Sequence, residues 1–190
     1  MFKVIEYSPE IDLKPYFKQA YEEGFIFHTS PRVFHRPQEP VVNNWIVYQG
    51  DTPVSTFGVH SLKKYNAPGY SIMSKMCVLK YKLPNAPTPK AFYSQHQNFV
   101  AQIVLPTCIN WLLKTQGSDI STYVSVDLDK PPQYMKGHNL MLQSWSKRGL
   151  IERIEDCQWD DREVALWKWN YKEFLEQYEQ CPKWDVHFPS

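Results

Sequence analysis

The sequence contains no apolar run approaching the roughly 20 residues a membrane-spanning helix needs, which argues against a transmembrane protein. It has no excess of either charge. Its 21 basic and 20 acidic residues leave a net charge of +1, which argues against a strong nucleic-acid field or an anionic membrane partner. Its four cysteines, at 77, 108, 157 and 181, form no CxxC pair. The opening MFKVIEYSPEIDLK lacks a charged-then-apolar signal layout, so a cytoplasmic protein without disulfides is expected. Cys77 and Cys108 lie in apolar runs and read as small core residues. No Ser-His-Asp arrangement, P-loop or dinucleotide fingerprint occurs, nor any internal repeat or low-complexity tract. No metal is expected. His28 and His35 stand beside Arg32 and Arg36 in a proline-bearing loop, without ligand spacing.

What is present is a chain of 190 residues, long enough for one core, with 15% aromatic residues including seven Trp. One domain over 1–190 is expected, ending in a C-terminal helix and an irregular tail over 170–190. FKVIEY alternates as a first strand. A helix follows, with Leu13, Tyr16, Phe17, Ala20 and Tyr21 on one face and Pro15 in its first turn. Residues 28–40 read as loop. NNWIVYQGDTPVSTFGVHSL is a hairpin around Gly50-Asp51, and YSIMSKMCVLKY adds a third antiparallel strand. A helical region then runs to about Lys114, opening at Thr88 or at Ser94 and kinked or broken by Pro106. DISTYVSVDL is a strand with Ile120, Thr122, Val124 and Val126 on one side and Tyr123 on the other. Because a long crossover joins it to YSIMSKMCVLKY, those two strands must run parallel.

The segment from His138 to Trp169 carries the most information. Leu140, Met141, Ser144, Trp145 and Arg148 recur at helical spacing, Gly149 supplies a left-handed cap, and two short aromatic-rich strands follow. NYKEFLEQYEQC closes the pattern as an amphipathic helix with Phe174, Leu175 and Tyr178 inward. The order β-α-β-β-β-α-β-α-β-β-α defines a mixed α/β (α+β) class: a central, mainly antiparallel sheet flanked by helices.

This order, with a helix ending in Gly and a hydrophobic residue before a closing hairpin, resembles the GNAT superfamily of acetyl-CoA-dependent N-acyltransferases. The family's penultimate helix reads roughly Asn-x-x-Ala-x-x-Leu-Tyr-Glu-Lys-x-Gly-Phe. Here His138 falls at Asn, Met141 at Ala, Ser144 at Leu, Trp145 at Tyr, Ser146-Lys147 at Glu-Lys and Gly149-Leu150 at Gly-Phe. Two departures stand out. The family's glycine-rich pyrophosphate loop is replaced by KYKLPNAPTPKAFYSQHQ, which has no Gly; a helix N-terminus near Thr88 or Ser94, with Lys80, Lys82 and Lys90, would have to hold the anion. The Tyr that often protonates the leaving thiolate is Trp145, whose indole cannot give up a proton near neutral pH.

The resemblance implies roles for particular residues. His60, at the end of STFGVHSL, falls where the family binds acceptors and suits general-base work. Tyr123, with Asp127 nearby, falls on the strand beside the thioester and could donate to a thiolate. The backbone around Met76, Cys77 and Val78 would hold the pantetheine arm of acetyl-CoA, with Ser94 and His138 as further cofactor contacts. Each side chain also has a plain reading, as a hydrogen-bonded strand His, a packed strand Tyr or a helix-flanking His. The expected function is acyl transfer from acetyl-CoA to a small-molecule or peptide amine, in a chain compatible with oligomerisation. The alternative is a non-catalytic protein of the same fold that binds a ligand or protein partner. A single-strand nucleic-acid binder, stacking bases on aromatics, is disfavoured by the near-neutral charge.

Overall fold

The computed structural model describes residues 1–22, 41–62, 69–78, 98–117, 120–128, 141–159, 162–179 and 183–190. Strand β1 (Phe2–Glu6) leads to helix α1 (Lys14–Glu22), where the Asp12 carboxylate accepts from the Lys14 amide and Pro15 sits in the first turn. Strands β2 (Val41–Gln49) and β3 (Thr52–Ser61) form the expected hairpin, and Gly50 takes φ +61° at its turn. After β4 (Tyr70–Val78) come a π-helix (Val100–Val104), helix α2 (Leu105–Gln116) and β5 (Thr122–Asp127). Helix α3 (141–147), the hairpin β6 (Ile151–Trp159) and β7 (Arg162–Trp169), helix α4 (Tyr171–Glu179) and β8 (Val186–His187) complete the order. Both expected openings of the long helix, Thr88 and Ser94, lie outside the described residues, as do residues 28–40 and His138.

Two expectations need adjusting. Of the kink or break expected at Pro106, the break does not occur: the helical run continues from Val100 to Gln116 with a change of type at Leu105. The chain ahead of Pro106 widens into π geometry, with the Leu105 amide bonding the Val100 carbonyl, and the Thr107 hydroxyl caps the Ile103 carbonyl at 2.6 Å. The wider turn absorbs the donor that proline lacks. The tail is not wholly irregular either. Val186 and His187 pair in parallel with Phe2 and Lys3, the Phe2 amide bonds the Asp185 carbonyl, and Trp184 stacks on Phe2. The exposed edge of β1 supplied unpaired backbone groups, and the tail took them up.

The eight strands among the described residues form one sheet in the order β6-β7-β5-β4-β3-β2-β1-β8. Strand alternation sorts the side chains onto two faces. One face carries Val4, Trp45, Phe57, Val59, Ile72, Val124, Ala165 and Trp169 and is covered by α2, α3 and α4 through Ile109, Leu112, Met141, Trp145 and Phe174. The other carries Ile46 against Leu13, just ahead of α1, and Phe17 of α1, and, further along, Leu62, Val164 and Leu166 with Tyr123. At the β6 edge, Ile154 is an extra residue in a bulge. The bulge brings Arg153 and Asp156, three apart, onto one face at 2.6 Å and shifts the register of the edge strand, with Ile154 itself exposed.

The pairing of β4 with β5 positions the rest. The two strands are parallel, as expected, but pair only at Tyr70 with Thr122 and Ser71 with Tyr123. Beyond Ser71, β4 has no β5 partner among the described residues. The cause is visible on the other side of β4. Between the pairs His60–Ser71 and Thr56–Cys77, β4 advances six residues while β3 advances four, through two consecutive irregularities. Such bulges bend a strand, and this bend begins at the last β4–β5 pair.

Gly69 pins the closed end. It holds φ +110°, and a side chain there would run into the Ser121 carbonyl and approach the Tyr123 ring to 2.9 Å. Replacing Gly69 with Ala is therefore expected to lower unfolding free energy by about 1–3 kcal/mol, measured by urea titration; an unchanged midpoint would show that the pin is not needed.

Candidate active site

The expected site residues divide three ways. His60 and Tyr123 are brought together. His60 pairs with Ser71, Ser71 with Tyr123, and Tyr123 with Lys168, so the four lie in one row on one face of the sheet. Two strand spacings separate His60 from Tyr123, roughly 10 Å between backbones. Both are half-buried, and the Ser71 between them is buried. The row crosses the sheet at the point where β4 and β5 part. Met76, Cys77 and Val78 lie in the part of β4 that has left β5, with Cys77 and Val78 paired to Thr56 and Ser55 of β3. Ser94, His138, Lys80, Lys82, Lys90 and Cys181 lie outside the described residues.

Trp145 is fully buried in the core beneath α4. Its ring packs edge-on to Phe174 at 4.9 Å and against Trp169 at 5.3 Å. Its indole N–H donates to the Tyr178 hydroxyl at 3.2 Å, and that oxygen also accepts from the Arg148 guanidinium at 3.1 Å. The helix end that sets this geometry is the one the sequence indicated. Gly149 takes φ +72°, and the Leu150 amide returns to the Trp145 carbonyl. Trp145 thus acts as a packing residue whose polar atom is committed to α4.

Around Tyr123, the described environment is apolar on the β7 side, through Val164 and Leu166, with Cys157 alongside. Burial pushes the Cys157 thiol up, reinforced by the charge of Glu155, a hydrogen bond to its carboxylate, and the charge of Asp156. Among the described residues no group of His, Cys, Asp and Glu is arranged to hold a metal ion, and no helix is long and apolar enough to cross a membrane.

Residues that sequence reasoning missed also belong to this face. Asn44 of β2 lies over Gly58 of β3, where its side-chain oxygen takes the space a Cβ would fill. The signal was available: a lone glycine inside a strand pattern marks a bulge or a close approach.

No protein-family model matches the chain, and no characterised protein matches it in sequence. Among solved structures the chain is similar to an aminoglycoside N(6')acetyltransferase from Legionella pneumophila, at 10% identity and TM-score 0.47, over 93% of this chain and 95% of that one. It is similar also to Escherichia coli ElaA, at 8% identity and TM-score 0.42, over 88% of this chain and 99% of that one. A GNAT-family acetyltransferase from Bacillus cereus gives 10% identity and TM-score 0.41, over 88% and 96%. Likenesses at this level assign no residue a role. The strand order and the parted parallel pair agree with the mixed, mainly antiparallel sheet flanked by helices that the sequence implied.

Two measurements check this geometry. Tyr178→Phe removes the hydroxyl that accepts from the Trp145 N–H and should destabilise the chain by about 1–2 kcal/mol; in a double-mutant cycle with Trp145→Phe the losses should be less than additive. At pH 8, alkylation of Cys157 followed by mass mapping should run several-fold slower in the folded chain than in the urea-unfolded one.

Proposed function

We propose that the chain transfers an acyl group from acetyl-CoA to an amine. The observation that carries this reading is the parted β4–β5 pair with His60 and Tyr123 on one face beside the point of parting. The β4 backbone over 72–78 has no β5 neighbour and offers peptide groups to an extended, amide-bearing arm such as pantetheine. That stretch therefore fits the thioester's tail. His60 takes a proton from the acceptor amine, directly or through water, as its nitrogen attacks the thioester carbonyl carbon. The carbon–sulfur bond then breaks, and the departing thiolate takes a proton from the Tyr123 hydroxyl or from solvent. The acceptor is a small-molecule or peptide amine. One domain over 1–190, a cytoplasmic setting, and cofactor contacts from Ser94 and His138 remain part of this proposal.

One observation favours the non-catalytic alternative. At the position where the resemblance implies a proton-donating Tyr stands Trp145, buried and bonded to α4. A ligand-binding protein on the same scaffold needs no such donor.

Calorimetric titration with acetyl-CoA and with coenzyme A, followed by a thiol-release assay against a panel of primary amines, separates the readings. Micromolar binding with amine-dependent thiol release is expected. His60→Ala should lower kcat by about 10²-fold or more with the fold intact by circular dichroism. Absence of binding at millimolar coenzyme would exclude the transferase reading.

A further inference from the structure

Among the described residues, five buried side-chain atoms have no hydrogen-bond partner: Asn44 Oδ1, Trp45 Nε1, Thr56 Oγ1, Thr122 Oγ1 and Trp169 Nε1. They divide by face. Trp45, Thr122 and Trp169 point to the face covered by α2, α3 and α4, where the two indoles lie in the main aromatic core. Asn44 and Thr56 lie on the other face, the one that carries His60. Asn44 pairs with Gly58, and Thr56 with Ile46, whose side chain meets α1.

The placement along β3 is regular. Thr56, Gly58 and His60 occupy successive positions on one face, and Gly58 contributes no side chain. The Asn44 carboxamide oxygen lies in the space a Cβ on Gly58 would take, which sets it between Thr56 and His60. Asn44 is 6% exposed and Thr56 fully buried. Two residues of strand rise put the Asn44 oxygen about 6–7 Å along the strand from His60. A buried acceptor oxygen left without a donor costs of the order of 1–3 kcal/mol. The Asn44 Oδ1 can only accept, whereas the Thr56 hydroxyl can accept or donate, so a ligand laid along β3 toward His60 would pair the first through an N–H or O–H group and the second through either kind of group.

We infer that Asn44, seated over Gly58 and backed by Thr56, is a specificity-determining residue that accepts a hydrogen bond from a second donor group on the acceptor, four to five bonds from the reacting amine. The acceptor class is an elongated amine carrying a further hydroxyl, amide or amino group, laid along β3 with its reacting nitrogen at His60. This rests on the transferase reading for the reaction, but the recognition point can be tested by binding alone. Neither oxygen is charged, so a neutral donor suffices and a bare alkyl chain leaves both oxygens unpaired.

The probes are 4-amino-1-butanol, which places a hydroxyl at the required distance, and n-pentylamine, which replaces it with a methyl group. Wild type should bind the amino alcohol roughly tenfold more tightly by titration calorimetry and, where thiol release occurs, use it with the higher kcat/KM. Asn44→Leu, of similar shape, should erase or reverse that preference while melting no lower than wild type, because it removes an unpaired oxygen. Thr56→Val should narrow it if Asn44→Leu fails to fold. Equal affinity for the two probes, the same preference in the variants, or no affinity for either, as when the oxygens hold ordered water only, overturns the inference. Thiol release from acetyl-CoA with no preference between probes overturns the recognition point alone. A preference without any thiol release overturns the transferase reading and leaves the recognition point standing.

Discussion

The structure depends on a two-residue junction. Among the described residues, parallel strands β4 and β5 pair only at Tyr70–Thr122 and Ser71–Tyr123, and they separate beyond that junction. Three local features hold it. Gly69 lets the backbone approach Ser121 and the Tyr123 ring. The Tyr70 hydroxyl donates to Gln116 at 2.9 Å, which ties the end of α2 to the start of β4. The irregularities against β3 bend β4 away immediately afterwards. A sheet interior normally pairs its backbone groups along the full strand. Here the sequence places a glycine at one end of a strand and mismatched register along it, so that two strands share an end and not a length.

The sequence revealed the elements well and the junction only in outline. The crossover requirement made β4 and β5 parallel, and hydrophobic alternation placed Val124 and Tyr123 on opposite faces, as found. The Gly50 turn and the Gly149 cap were legible because φ > 0 favours glycine strongly. What period and propensity cannot show is register. Two extra residues on β4 leave no signature in a nine-residue strand of mixed character, so the bulges that open the pair were invisible. A proline inside a helical pattern implies a kink or a break because it removes a donor; here the chain changes helix type and the helical run continues from Val100 to Gln116. The pairing of the tail with β1 depends on contacts far apart in sequence, which local patterns do not report.

The candidate site was partly legible. His60 and Tyr123 stand on different strands with separate sequence signals, and the register places them in one row. Asn44, Thr56 and Gly58 went unnoticed because their interest lies in missing hydrogen bonds and a shared volume, properties of packing and not of composition. The two faces of the sheet show contrasting chemistry. One is an aromatic core in which Trp145, Trp169 and Phe174 interlock and α4 receives the Trp145 N–H. The other carries polar side chains on its floor between two small apolar clusters.

The pairing of β8 with β1 bears on how the protein is made. Phe2 joins Val186 and stacks on Trp184, while the Trp184 amide reaches Gln102 in the π-helix. The partner of the first strand's outer edge therefore emerges from the ribosome roughly 180 residues after that strand does. Throughout synthesis β1 must rest on β2 alone with one row of backbone groups bare, a state open to wrong strand pairing until the late segment arrives. Contacts of such long sequence separation slow folding, so closure of this edge belongs to the final stage of maturation.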